Sequence, residues 1–280
     1  MEVSLIIPVF NSFDYIDECI ASVIQFPEIK EIICIDDKSS DGSLEKLQHW
    51  ASLEKRIIVL ENKGLQGCGP SRNMGIEEST CEFIAFLDSD DYFFPNRFYS
   101  DKDIFIEFPW IEGVSNAIVR SDNLIIGPKT HGRLLTFKNY INGDTVSFTG
   151  LTLRKSVFSK IGVFNEDFLL GQDVIFHSKL LEECKIISGN VSEPVAFYRI
   201  HNNNSTKNDS NVIKYGRKQA RHLLWHQGLK KIDISLIIYF FKKHLELDYK
   251  QFFQNSSLNK KIIKLFLLPY TLLRLIFPKN

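Results

Sequence analysis

Asp88-Ser89-Asp90-Asp91 follows the apolar run Phe83-Ile84-Ala85-Phe86-Leu87, so carboxylates are delivered at the end of what reads as a buried strand. Side chains alternate along a strand, which predicts Asp88 and Asp90 on one face and Ser89 on the other. Two same-face acids suit a hard divalent cation such as Mg²⁺ or Mn²⁺; Mg²⁺ takes one or two protein carboxylates and completes its shell with water and substrate phosphates. That chemistry points to a nucleoside diphosphate substrate. The competing reading is a polar turn closing the strand, since Asp and Ser are common turn residues.

Other positions carry residues suited to the same task. Arg72 lies just inside a helix that begins near Pro70, where a guanidinium and a helix N-terminus would together favour a diphosphate. A surface pair with Glu77 or Glu78 is the alternative. Gly64-Leu65-Gln66-Gly67-Cys68-Gly69 could bring backbone to a phosphate, but it follows the third strand candidate, and the chain has no Gly-Lys-Ser/Thr loop, which disfavours dehydrogenase and ATPase readings. Gly171-Gln172-Asp173 opens a helix, where Asp serves either as a cap or as a functional carboxylate. His201, at the end of Tyr198-Arg199-Ile200-His201, is a solvated loop histidine or a metal ligand. His177, one helical turn after Asp173, is predicted to pair with it.

The elements that must position these groups alternate. Val3–Val9, Glu31–Ile35, Ile57–Leu60 and Phe83–Leu87 read as strands, with helical spacing in Phe13, Ile16, Ile20, Val23 and Ile24 and again in Leu44, Leu47 and Trp50, where Asp41 could cap. Strands separated by helices imply a parallel sheet covered on both faces, with ligands beyond the carboxyl ends of its strands. Asp36-Asp37 and Asp88–Asp91 both fall at such ends. Val114–Val119 and Leu124–Ile126 predict a smaller antiparallel addition. Val157–Ile161 before Gly162, and Asp173–Glu183, predict two more helices, and Val195–Tyr198 another strand.

With 280 residues and 44% apolar content the chain is an ordinary globular protein, long enough for one large domain or for one domain with an appendage. Its five cysteines are scattered and form no C-x-x-C pair, which argues against a disulfide framework or a zinc site. Met1 runs straight into Val3–Ile7 without a basic n-region, so no secretory signal is expected. The zero net charge conceals a split: residues 1–213 hold 20 Lys and Arg against 31 Asp and Glu, and residues 214–280 hold 14 against 3. A basic end of this kind suits an anionic surface.

Taken in order, Val3-Ser4-Leu5-Ile6-Ile7-Pro8-Val9-Phe10-Asn11, Ile35-Asp36-Asp37-Lys38-Ser39-Ser40-Asp41-Gly42-Ser43, Gly69-Pro70-Ser71-Arg72-Asn73-Met74-Gly75-Ile76, Phe86-Leu87-Asp88-Ser89-Asp90-Asp91, Gly171-Gln172-Asp173 and Tyr198–His201 resemble the family 2 glycosyltransferases, inverting enzymes of the GT-A fold. The resemblance covers residues 3 to about 206. It implies an α/β fold with a mostly parallel central sheet, a small antiparallel addition and a helical C-terminal extension, divided as a transferase domain over 1–210 and a basic, aromatic extension over 211–280. It further implies metal-dependent transfer of a hexosyl or N-acetylhexosaminyl group from a nucleotide sugar, expected to be UDP-linked, to a glycan or lipid-linked acceptor. Pro8, Val9 and Phe10 would line the base pocket and Asp37 would accept from the uracil or thymine N3–H. Asp88 would help hold ribose and metal, Asp90 would be the principal ligand of Mn²⁺ or Mg²⁺, and Asp91 would share in binding sugar or metal. Arg72 would add charge beside the diphosphate, His201 would approach the metal or diphosphate, and Asp173 matches the general base. Lys38 stands where Gly is usual, and Gln172 where Glu is frequent. The rival reading is a catalytically silent glycan-binding module on the same fold.

Residues 262–277 are apolar but interrupted by Lys264, Pro269 and Arg274, whereas a spanning helix wants about 20 mostly apolar residues. The segment is therefore expected to lie in a membrane interface, with packing on the catalytic domain or on a second subunit as the alternative, and the protein is expected in the cytoplasm, peripherally on the inner face of the cytoplasmic membrane. No nucleic-acid module accompanies the basic residues, so nucleic acid is not an expected partner.

Overall fold

The computed structural model describes residues 1–141, 144–166 and 172–201. The C-terminal extension with its expected membrane contact, and Gly171 of the Gly171-Gln172-Asp173 motif, lie outside them. Among the described residues no helix is long and apolar enough to cross a membrane.

The first part alternates strictly: β1 (Val3–Val9), α1 (Ile16–Val23), β2 (Ile29–Asp36), α2 (Ser43–Leu53), β3 (Ile57–Glu61), α3 (Cys68–Glu78) and β4 (Phe83–Phe86). There follow β5 (Tyr92–Phe93), α4 (Tyr99–Glu107), β6 (Gly113–Ser115), β7 (Ile118–Arg120), β8 (Ile125–Ile126), β9 (Leu134–Leu135) and α5 (Phe137–Ile141). A 3₁₀ turn (Phe148–Gly150) leads into β10 (Leu151–Arg154), α6 (Ser156–Ile161), α7 (Gln172–Glu183), β11 (Ile186–Ser188) and β12 (Ala196–Tyr198).

The main sheet has eight strands in the order β3-β2-β1-β4-β10-β6-β11-β9. Strands β1 to β4 are mutually parallel; β10 runs antiparallel to β4 and β6, and β11 is parallel to β6, so β4, β6 and β11 share one direction. Alternation along β1 sends Leu5, Ile7 and Val9 to one face, where Ile16, Ile20 and Val23 of α1 and Leu47 of α2 pack. Ile6, Ile33 and Ile35 face the other way, against Ile76 of α3, Phe158 of α6 and Phe176 and Leu180 of α7. Both faces are covered, which is why the strands read as near-continuous apolar runs. Gly75 lets α3 come close: a Cβ there would stand 2.5 Å from the Ile6 side chain.

The smaller sheet departs from expectation. Val114–Val119 is not one strand: β6 joins the main sheet and β7 the second, whose order is β5-β12-β7-β8. The break falls at Asn116, buried with its amide donating to Asp101 and the Gly150 carbonyl and its Oδ1 accepting from the Asn190 N–H. Nor is the second sheet wholly antiparallel, because β12 pairs parallel with β7.

Candidate active site

Because β1, β2 and β4 are adjacent and parallel, their carboxyl ends form one edge, with Val9 opposite Asp36 and Ile6 opposite Phe86. Side-chain hydrogen bonds tie the loops beyond that edge together. Asn11, in the left-handed region, receives Ser40 N–H on Oδ1 at 2.9 Å and donates its own N–H to Ser39 at 3.0 Å. Asp41 accepts from Ser43 N–H and from Phe13 N–H, joining the start of α2 to the loop after β1. Asp37 is buried; its carboxylate accepts from the Asn62 amide at 2.6 Å and from Gly67 N–H at 2.7 Å, which anchors the Gly-rich loop. Lys38 has φ of +66° and donates to the Gly64 carbonyl, a backbone state that explains why glycine suits this position. Of the three residues expected at a base pocket, Pro8 and Val9 are buried within β1, while Phe10 is 51% exposed and presents an open ring at the edge.

The acidic tetrad is not an extension of β4. That strand ends at Phe86, and Asp91 N–H donates to the Asp88 carbonyl in a turn, so strand alternation does not govern these side chains. Asp88 and Asp90 meet different partners: Asp88 accepts from Arg72 Nη2 at 2.7 Å, and Asp90 Oδ2 lies 2.7 Å from His201 Nε2. Ser89 turns to Ser12, oxygen to oxygen at 2.7 Å. Asp91, 1% exposed, accepts Arg199 N–H and the Thr149 hydroxyl. Burial, then the charge of Asp88, pushes the Asp90 carboxyl up, against the lowering pull of His201. Burial followed by Asp88 and Asp90 pushes Asp91 well up. Burial and the same three acids push the Tyr198 phenol to about 12.

Crowded carboxylates that destabilise one another's charge are a donor set suited to a divalent cation. Among the described residues no three His, Cys, Asp or Glu side chains converge as a ready cage. Two donors, Asp90 and His201, are already in contact, and a Mg²⁺-type ion that draws most of its shell from water and phosphate needs few more.

Beside the acids stands a wall from α3, α7 and the 3₁₀ turn, with Arg72 in direct contact with Asp88. Arg72 is 4% exposed and does not pair with Glu77 or Glu78, which are exposed. Its Nη2 grips Asp88 while its Nη1 lies 3.9 Å from Asp173, whose side chain is 53% exposed at the start of α7. The guanidinium is boxed by Phe148, Phe164 and Phe86, with centroids at 4.7, 5.5 and 6.0 Å. His177 does not pair with Asp173 either. It is buried against Phe148, ring centroids 4.4 Å apart, and burial followed by the nearby Arg72 charge lowers its pKa to about 3. Asn62, Phe148 and Phe164 escaped sequence reasoning. An Asn directly after β3 was a readable signal, whereas the two phenylalanines reach Arg72 only through distant chain contacts.

A largely parallel sheet with an acid turn at its carboxyl edge, backed by a mixed second sheet, is the GT-A nucleotide-sugar transferase architecture. Residues 4–162, more than half of the chain, match the family described as Glycosyl transferase family 2, and the chain belongs to that family. An uncharacterized glycosyltransferase of Haemophilus influenzae is 26% identical, with 95% of this chain and 96% of that protein aligned. The poly(ribitol-phosphate) beta-glucosyltransferase of Bacillus spizizenii is 43% identical over 98 residues, which span 33% of this chain and only 15% of that protein. The minor teichoic acid biosynthesis protein GgaA of Bacillus subtilis is 28% identical over 95% of this chain and 60% of its own length. Among solved structures, S. aureus TarS 1-349 superposes with a TM-score of 0.70 at 18% identity, covering 99% of this chain and 81% of that one. The same protein in complex with UDP-GlcNAc gives 0.68 at 18% identity, covering 99% and 82%. At that identity the likeness is one of fold.

Proposed function

We propose that this chain transfers a sugar, with inversion and with help from Mn²⁺ or Mg²⁺, from a UDP-linked donor to a hydroxyl of a glycan or lipid-linked acceptor. The observation that carries the reading is Arg72, which reaches Asp88 at 2.7 Å and Asp173 at 3.9 Å, so a donor-side acid and a proton acceptor border one site. In this reading Phe10 stacks on the base and Asp37 accepts its N3–H, with Asn62 and Gly67 leaving lone pairs to spare on that carboxylate. Asp90 and His201 would hold the cation, with Asp88 adding charge and touching the ribose; Asp91, which accepts the Arg199 N–H, steadies the chain that carries His201. The cation would neutralise charge on the departing diphosphate. Asp173 takes the proton from the acceptor hydroxyl as its oxygen attacks C1, and Arg72 holds Asp173 in place while keeping positive charge beside the leaving group. One displacement with one carboxylate on the attacking side inverts the anomeric centre. TarS complexes with UDP-GlcNAc support the choice of nucleotide, and relatives named for teichoic acid synthesis support an acceptor that is a cell-surface polymer. The excess of Lys and Arg in residues 214–280 supports peripheral attachment to an anionic inner leaflet.

The test is nucleotide release from a panel of UDP-sugars with Mn²⁺, with and without EDTA, followed by NMR of the product anomer. Metal-dependent turnover, abolished in Asp90→Asn, with an inverted product is expected. Turnover indifferent to EDTA would remove the cation, and a retained anomer would remove the single displacement.

A further inference from the structure

Asn73 follows Arg72 on α3. Its carboxamide clasps the backbone of Phe164, a residue 91 positions away: Oδ1 accepts the Phe164 N–H at 2.9 Å and Nδ2 donates to the Phe164 carbonyl at 2.9 Å. A second Nδ2 hydrogen bond reaches Glu166 at the surface, also at 2.9 Å. This is the bonding one strand offers another, supplied by one side chain. Its effect is to fix the Phe164 ring, which is buried and stacked on Phe176 with centroids 4.7 Å apart and planes at 13°. Phe176 lies three residues after Asp173, about one turn along α7. The same ring forms part of the box around Arg72.

One turn earlier on each helix, α3 and α7 meet again. A Cβ on Gly69 would stand 1.8 Å from Gln172 Oε1, and Gln172 is buried beside Asp173. Two contacts, Gly69 to Gln172 and Asn73 through Phe164 to Phe176, therefore pin the first turn of α7 to α3. Arg72, between them, carries the charged link to Asp173.

We propose that Asn73 is a positioning residue for the transfer step: by clasping Phe164 it sets where Asp173 stands relative to Asp88. The proposal rests on the assignment of Asp173 as base. Among the described residues Asn73 has no hydrogen bond to Asp37, Asp90 or Asp91, so its loss is expected to act on the chemical step and to spare the donor.

The experiment is a cycle of Asn73→Ala, Phe164→Leu and the double variant, with Glu166→Ala as the surface control, in the full-length chain. A base displaced by a fraction of an ångström loses rate steeply, so Asn73→Ala is expected to lower kcat on the order of tenfold with the donor KM within about twofold. Because Asn73 acts through Phe164, the double variant is expected to match Phe164→Leu rather than multiply the two losses. Glu166→Ala is expected to keep wild-type kcat. Amide exchange across residues 172–176, measured without substrate, is expected to quicken in Asn73→Ala. An Asn73→Ala enzyme with unchanged kcat, a raised donor KM in place of a lowered kcat, or fully multiplicative losses would overturn the proposal. If Asn73→Ala does not fold, Phe164→Leu decides by the same division of kcat from KM. The exchange measurement stands apart from turnover: a wild-type chain that transfers nothing would sink the transferase reading, while unaltered exchange in Asn73→Ala would sink only the role of Asn73.

Discussion

The two walls of the site are bonded differently. On the donor edge, Asn11, Asp37, Asp41 and Asn62 each join one loop to another through directed hydrogen bonds, although Asp36 Oδ1 beside them is buried without a partner among the described residues. On the wall that carries Asp173, Arg72, Gln172 and His177 each keep one buried polar atom without a partner among the described residues, and aromatic rings do most of the holding. A polar lattice fixes positions by direction and fails locally when one link is cut. A packed aromatic wall fixes them by volume, so one vacancy loosens the whole. Donor-edge variants should therefore change nucleotide affinity, and base-wall variants should change stability and kcat together.

The largest effect is expected at Phe148, whose buried ring touches Arg72, His177, Phe164 and Phe176. Phe148→Ala should cost about 3–5 kcal/mol in urea unfolding and lower kcat by releasing Arg72. A loss confined to donor affinity would break the distinction between the walls. Next comes Asn62→Ala, which strips hydrogen bonds from the buried Asp37 carboxylate and from the exposed Gly64 and Leu65 backbone. It should cost about 1–3 kcal/mol and weaken UDP binding by calorimetry while kcat at saturation survives.

Smallest at neutral pH is an effect that emerges only as the pH falls. Burial keeps His177 neutral down to about 3, against an ordinary value of 6.5. Between those values the unfolded chain binds a proton that the folded chain refuses, so this group's share of stability is whole above about pH 6.5 and erodes as pH falls toward 3. His177→Phe should flatten the loss by at most about 1.4 kcal/mol per pH unit, read from urea midpoints at pH 7, 5 and 4. A wild-type slope in the variant would place the proton elsewhere.

The alternating half of the fold is legible in the sequence because buried parallel strands are long apolar runs: Val3–Val9 reads as β1 with both ends right. The second sheet is not, since its strands are two or three residues long and the run from Val114 is cut by Asn116, whose partners Asp101, Gly150 and Asn190 are distant in sequence. At the site, residue types at strand ends signalled where chemistry could occur, but not which groups would touch. Strand periodicity misplaces Asp88 and Asp90 because a turn begins once β4 stops at Phe86. Helical spacing puts His177 near Asp173, yet Phe148 fills the space between α7 and the sheet and draws the imidazole inward. Arg72 reads as a surface or phosphate arginine, and only the fold shows it enclosed by three phenylalanines from separate segments.

The most direct test of the account compares wild type with Asp173→Asn in single-turnover transfer, with UDP affinity measured on the same samples. If Asp173 takes the acceptor proton across from the acid turn, transfer should fall on the order of 10²–10⁴-fold while UDP binds as before. Undiminished transfer by Asp173→Asn, or a loss explained wholly by weaker UDP binding, would contradict it.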